Sequence, residues 1–249
     1  MLELALRGTA TQMLTTRTFL PTSTVTLIGK GSLPQALESE VEMLWRAEQE
    51  RRGESLFNGN ILSAVEITQA GILGRVAEYR HLVAQRARPQ LFDYLQVRPV
   101  AVSGLLQCAD GIVFGRRART VTQHPGLWEL VPSGGLDTSK VSESGVIDYR
   151  AQLLTELLEE LGINANSVSS IRPFSLVEDS GSHVIDIGIA LASQLSAAQV
   201  LRAHREAKTK EYAELRVLSV DEVDCFVRFE ASQLVGVSTV LIRQFQNER

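Results

Sequence analysis

Cysteine is scarce: 249 residues contain two, Cys108 and Cys225, with no CxxC spacing. That excludes a disulfide framework and a thiol zinc or redox motif, and leaves two small apolar side chains suited to a reducing compartment. Long apolar runs are missing as well, since no uninterrupted stretch approaches the roughly 18–20 residues that span a bilayer. The amino terminus, MLELALRGTATQMLTTRTF, lacks the basic segment, apolar run and cleavage pattern of a secretion signal. A cytoplasmic chain with no membrane partner is therefore expected. Excess positive charge is also absent. Against 29 Asp and Glu stand 25 Lys and Arg, a net charge of −4, so no global field recruits nucleic acid and no such partner is expected. Neither an internal repeat nor a low-complexity tract is present.

What remains is ordinary for a globular chain: 44% apolar and 22% charged residues, enough for one large domain or two small ones. Thr24–Ile28 alternates as a short strand, and Ser32 opens a helical pattern with Leu33, Leu37, Val41, Leu44 and Trp45 on one face. Arg46–Arg52 reads as the solvated end of that helix, Leu56–Asn60 as a turn, Ile61–Thr68 as a strand, and Gly74–Arg88 as a helix ended by Pro89. From Pro99 the character changes. Val100–Cys108 and Gly111–Gly115 form a hairpin signal, and Trp128–Val131 is a strand running into the loop Pro132–Gly135. A helix over about Ser144–Leu161 follows, stopped by Gly162. Strands at Val168–Glu178, His183–Ala192 and Leu215–Val220 alternate with helices at Ser196–Ala207 and Val235–Gln246. The pattern predicts an α/β (α+β) sandwich over residues 96–249 and a smaller α+β domain over 1–95.

The informative segment is Thr155-Glu-Leu-Leu-Glu-Glu-Leu-Gly-Ile163. Glu156, Glu159 and Glu160 stand at i, i+3 and i+4, so a helix projects all three from one face, where like charges repel by a few tenths of a kcal/mol per pair. Leu153, Leu154, Leu157, Leu158 and Leu161 supply the opposite, buried face. A solvated acidic face is the plain alternative. Against it stand the shortage of basic neighbours at i±4 and the Gly-Gly loop upstream. A compact set of carboxylate and carbonyl oxygens suits a hard divalent ion.

This segment resembles the Nudix box, Gly-x5-Glu-x7-Arg-Glu-U-x-Glu-Glu-x-Gly-U, with U a bulky aliphatic. Glu156, Leu157, Glu159, Glu160, Gly162 and Ile163 match its end; Gly135, preceded by Gly134, matches its opening. The loop is six residues longer than the pattern, and Thr155 and Ile147 occupy the positions of its Arg and first Glu, with Glu143 and Arg150 the candidates to replace them. The resemblance implies a Nudix-type α/β/α sandwich with a mixed sheet. It also implies Mg2+ or Mn2+ held by the Gly134 carbonyl, Glu156, Glu159 and Glu160. Glu159 is then a ligand or the base that orients water, assisted by a Glu outside the box: Glu211 or Glu214, with Glu178 third.

The implied activity is hydrolysis of the diphosphate in a nucleoside diphosphate linked to another moiety, a nucleotide sugar or ADP-ribose preferred. The partner is then a small nucleotide diphosphate, and a homodimer is allowed. Arg116 or Arg117 offers a guanidinium fork to phosphate, against the alternative of a solvated hairpin tip. Trp128 is a candidate for stacking on a base, though an aromatic in a strand also suits a core. Phe57-Asn58-Gly59 and Tyr79-Arg80 resemble the amino-terminal region of Nudix proteins acting on nucleotide sugars. The rival function is a Nudix-fold module that binds a nucleotide without cleaving it. An isoprenyl diphosphate isomerase on the same fold finds no supporting residues.

Overall fold

The computed structural model describes residues 13–53, 56–207 and 209–248. Most of the segment read for a targeting signal, residues 1–12, lies outside the described residues. The amino-terminal part contains β1 (Leu14–Thr18), β2 (Thr24–Lys30), α1 (Gln35–Arg52), β3 (Asn60–Thr68), β4 (Gly71–Glu78), α2 (Tyr79–Ala87) and α3 (Phe92–Leu95). Beyond it come β5 (Val100–Cys108), β6 (Gly111–Arg117), β7 (Trp128–Leu130), β8 (Ser133–Gly135) and α4 (Tyr149–Leu161). The chain closes with β9 (Val168–Asp179), β10 (Ile185–Ser193), α5 (Ala197–Glu206), β11 (Tyr212–Leu218), α6 (Val220–Phe229) and α7 (Gly236–Asn247).

Strands β1-β9-β10-β5-β6-β11 form the large sheet in that order; β8 also pairs with β5, and β7 with β6. Only β10–β5 is parallel, so the sheet is mixed, as expected for an α/β fold. The β5–β6 hairpin is paired only at its turn, Gln107 with Ile112 and Cys108 with Gly111. Beyond that point the two strands part. β8 takes the edge of β5 at Ala101–Ser103, and β7 takes the edge of β6 at Phe114–Arg116. This split is what makes room for a site.

Helices cover both faces. Leu153, Leu157 and Leu161 of α4 meet Val100, Val102, Ile187 and Ile189 on one side. On the other, Val223 and Phe226 of α6 and Leu241 and Phe245 of α7 pack on Phe114, Trp128 and Leu130. The smaller sheet, β2-β4-β3, contributes Val25, Leu62 and Ile72 to the α4 side, while α1–α3 cover its far side through Val41, Leu82 and Leu95. Residues 14–18 thus sit in the large sheet, and the two parts share apolar packing across the boundary expected near 95.

Several local expectations need correction. Gly74–Arg88 is not one helix: Gly71–Glu78 is the central strand of the small sheet, where β-branched Ile72 and Val76 pair across to Ile67 and Leu62, and the helix starts at Tyr79. Pro132–Gly135 is not all loop, because Ser133–Gly135 is recruited as β8. The helix expected from Ser144 starts at Tyr149. Before it, Val146 bridges Thr26, and the Ile147 amide donates to the Val25 carbonyl, drawing this stretch into the small sheet. No helix among the described residues is long and apolar enough to cross a membrane.

Candidate functional site

The acidic helix is positioned by ordinary means. Asp148 caps its amino end, accepting from the Ala151 amide at 2.9 Å, and Gly162 ends it in the left-handed region at φ 68°. Its apolar row, Leu153-Leu157-Leu161, is fully buried, which turns the adjacent row, Gln152-Glu156-Glu160, toward β8. The three box glutamates do not share one environment. Glu160 is 6% exposed, Glu156 is half-buried, and Glu159 is in solvent. Leu158, expected in the buried face, is exposed beside Glu159.

Glu160 accepts one hydrogen bond, from the Ser133 amide at 3.1 Å. Gln152 Nε2 donates to Glu156 Oε1 at 2.9 Å. No Lys or Arg among the described residues pairs with Glu156, Glu159 or Glu160. Burial pushes the Glu160 carboxyl well above the usual range; the Ser133 amide opposes this, and the charges of Glu156, Glu129 and Glu211 add to it. Burial also raises Glu156, against the Gln152 hydrogen bond and together with Glu159, Glu211 and Asp137. These are desolvated acids without a counter-charge.

Gly134 explains the approach of β8. A Cβ there would lie 2.4 Å from Glu156 Oε1 and 2.5 Å from its Cδ, so only glycine lets the backbone reach the carboxylate. Among the described residues no three His, Cys, Asp or Glu side chains come together so as to hold a metal ion. Gly134, Glu156 and Glu160 nevertheless bring together oxygen atoms that are desolvated and lack a counter-charge among the described residues, the chemistry of donor a hard cation accepts. Gly134→Ala is expected to displace the Glu156 carboxylate, because the clash is with a movable side-chain end. Cation affinity should fall about tenfold or more, with melting changed by only about 1–3 °C. Titration with Mn2+, alongside a melting curve, checks it.

From Glu160 a chain of polar contacts leads to β6. Ser133 Oγ donates to Glu129 Oε1 at 3.2 Å, and Tyr212 Oη donates to the same oxygen at 2.8 Å. Arg117 sits between two acids, 2.5 Å from Glu129 and 2.6 Å from Glu211. Burial opposes its charge, and Glu129 with Glu211 more than restores it, leaving its pKa raised. Of these residues Arg117, Glu129, Ser133 and Glu211 line a cavity of about 400 Å³ in the split between β5 and β6, within the size range of small-molecule sites, whereas Tyr212, Glu156, Glu159 and Glu160 are not part of its lining. Gly134 and Gly135 stand at one end, and Tyr79, Leu82 and Arg86 from α2 close another wall.

The remaining sequence candidates are placed as follows. Of the two arginines left open, Arg117 faces the cavity. Arg116 turns outward, toward Glu214 at 3.8 Å and the Gly126 carbonyl at 3.2 Å. Glu214 is exposed between Arg116 and Arg216, away from the buried acids, whereas Glu211 lines the cavity. Trp128 is 1% exposed, edge-on to Phe226, with no face open to a base. Arg80 is held outside the cavity by Glu38 and Glu78, and Glu178 by Arg98. Phe57 is exposed in its turn. Ile147 is buried and Thr155 Oγ1 donates to the Ala151 carbonyl at 3.1 Å, so neither carries a charge into the site. Glu143 and Arg150 do not replace them: Glu143 is in solvent, and Arg150 donates to the Pro21 carbonyl at 2.6 Å. Gln152, one turn before Glu156, holds the carboxylate instead. Sequence reading missed it together with Glu129, Tyr212 and Asp186; only the i, i+4 spacing of Gln152 to Glu156 was there to be noticed.

No family model matches the chain, and no curated protein does. Solved structures do match, and NUDIX hydrolases and a NUDIX domain recur among them. The NUDIX domain of Shewanella oneidensis NrtR, complexed with ADP ribose, is 16% identical at TM-score 0.45, covering 66% of this chain and 96% of its own. A NUDIX hydrolase from Nitrosomonas europaea is 15% identical at TM-score 0.41, covering 79% and 90%. A bifunctional NMN adenylyltransferase/ADP ribose pyrophosphatase from Francisella tularensis, complexed with AMP and a Mn ion, is 16% identical at TM-score 0.43; the match spans 68% of this chain and 49% of that one. These are distant overlaps of chain path, and the chemistry of the site rests on its own side chains.

Proposed function

We propose that the protein is a Nudix-type hydrolase, dependent on a divalent cation, that cleaves the diphosphate of a nucleoside diphosphate linked to another moiety. The observation that carries this reading is the pair Glu156 and Glu160, desolvated and without a counter-cation among the described residues, set against Gly134 and Ser133, which line the cavity. Buried carboxylates without a partner are costly to keep, so their retention argues for a bound positive charge. Glu156, Glu160 and the Gly134 carbonyl would hold Mg2+ or Mn2+. Such an ion offsets phosphate charge and acidifies a water molecule. Exposed Glu159 is the proposed base: it takes a proton from water as the oxygen attacks phosphorus and the bridging P–O bond breaks. Glu211, rather than Glu214, is the assisting acid outside the box, and Arg117 steadies the departing phosphate. The amino-terminal part shapes the pocket through Tyr79, Leu82 and Arg86, and a nucleotide sugar or ADP-ribose is the preferred substrate class. The free cysteines, Cys108 buried and Cys225 exposed, fit a reducing compartment such as the cytoplasm.

A panel of nucleotide sugars, ADP-ribose and dinucleoside diphosphates, incubated with Mg2+ or Mn2+, is expected to release a nucleoside monophosphate from at least one member. EDTA should abolish release, and Arg86→Ala should reorder the preferred substrates. One observation favours a second reading, a nucleotide-binding module without turnover: Thr155 and buried Ile147 provide no charged support for the helix carboxylates. Tight binding of a panel member with no release of product would decide for that reading.

A further inference from the structure

One carboxylate of the cavity has no part in the hydrolytic scheme. Asp186 lies in β10 opposite Ala101 of β5, on the cavity wall and 9% exposed. Its side chain accepts one hydrogen bond, from Ser103 Oγ at 2.9 Å, and Ser103 lines the same cavity. No cation among the described residues pairs with it, whereas Glu129 and Glu211 share Arg117 and Asp179 accepts from Ser182 at 2.7 Å. A carboxylate offers about four acceptor positions, and Ser103 uses one. Its strand neighbours, Ile185 and Ile187, are fully buried on the opposite face, so the position has no need of a charge for folding.

We propose that Asp186, held by Ser103, selects the ligand by accepting a hydrogen bond from an N–H or O–H donor of the nucleoside half. The proposal rests on the diphosphate reading of the site and adds to it the group that reads the non-phosphate part. A buried acceptor awaiting a donor discriminates strongly, because a ligand without the donor leaves it unpaired in a dry cavity. Burial raises the Asp186 carboxyl to about 6; the Ser103 hydrogen bond opposes the shift, and Glu129 and Asp179 reinforce it. The raised value means that the ionised form weighs against folding above about pH 6, and that this cost fades as the pH falls toward the unfolded-state value. An acid kept at a cost to stability and aimed into a cavity is more useful to a ligand than to the fold.

The test uses the full chain with Mg2+ and non-hydrolysable probes: the α,β-methylene analogues of ADP, GDP, CDP and UDP, and methylenediphosphonate, which has no nucleoside. The parent protein should bind its best nucleoside analogue at least tenfold more tightly than methylenediphosphonate. Asp186→Asn should remove at least tenfold of that preference, leave methylenediphosphonate affinity unchanged, and melt at the same or a higher temperature at pH 7.5. Ser103→Ala should weaken the same analogue in the same direction. The 2′-deoxy form of the best analogue locates the donor: a loss in the parent that is absent in Asp186→Asn places it on the 2′-hydroxyl, and no loss places it on the 3′-hydroxyl or the base. Undiminished nucleoside preference in Asp186→Asn overturns the inference, as does a parent that prefers no analogue over methylenediphosphonate. Failure of every probe, methylenediphosphonate included, overturns the diphosphate reading and this inference with it.

Discussion

Glu160→Gln is expected to lower turnover at least a hundredfold, about 3 kcal/mol in the barrier, while the protein melts no lower than its parent. The two halves of this result have one cause. Glu160 is 6% exposed, and the one hydrogen bond it accepts among the described residues comes from a backbone amide that a glutamine oxygen can equally satisfy. The substitution therefore removes an uncompensated buried charge and keeps the shape, which favours the cation-free fold. With Mg2+ the order reverses. The parent gains stability by mass action as the ion occupies the site, and the variant gains less. Melting curves with and without Mg2+, beside hydrolysis rates, give the whole comparison. A variant that keeps parental turnover and the parental Mg2+ response would sink the catalytic reading of the helix.

Arg117→Ala should be the most destabilising single change in the site, by about 3–5 kcal/mol. The Arg117 and Glu129 side chains are 11% and 8% exposed, so little solvent screens the pair. Truncation removes the fork that bonds Glu129 and Glu211 together and leaves Glu129 buried with only Tyr212 and Ser133 donating to it. For a chain of this length a loss of that size lowers the melting temperature by about 6–15 °C. Glu129→Gln in the same background should recover much of the deficit, because it removes the orphaned charge. Arg117→Lys should fall between, since an ammonium cannot bridge two carboxylates in a planar fork. Urea unfolding of the parent, Arg117→Ala, Glu129→Gln and the double variant measures the coupling directly.

The helix was legible because its signals are local. Carboxylates at i, i+3 and i+4, a leucine row one residue out of phase and a terminal Gly162 can all be counted along the chain. Strand β4 was not, since its apolar residues fit a helical spacing nearly as well as an alternating one, and the small sheet decided between them. The amphipathic α6 went unread although Val223, Phe226 and Val227 keep helical spacing, because what they cover, Phe114 and Trp128, comes from distant strands. Trp128 illustrates a wider limit. An aromatic in a strand faces ligand or core according to what the opposite helices bring, and here Phe226 fills the space. Glu129 and Asp186 each looked like one polar residue in an apolar strand. Their meaning arises from the parting of β5 and β6, a property of pairing register that neither strand carries alone.

The pairing of β1 with β9 covers part of an edge that would otherwise stand open. Thr15–Thr18 are exposed, and Arg17 stands among them, at the outer margin of the sheet. Behind them lie Ser175–Asp179 of β9, with Leu176 and Val177 among them, which would otherwise present a row of unpaired amides and carbonyls to any passing strand. A short polar strip in that place works as a seal against self-association. Trimming the chain to its carboxylate-bearing portion would strip the seal, turning an inert margin into an adhesive one.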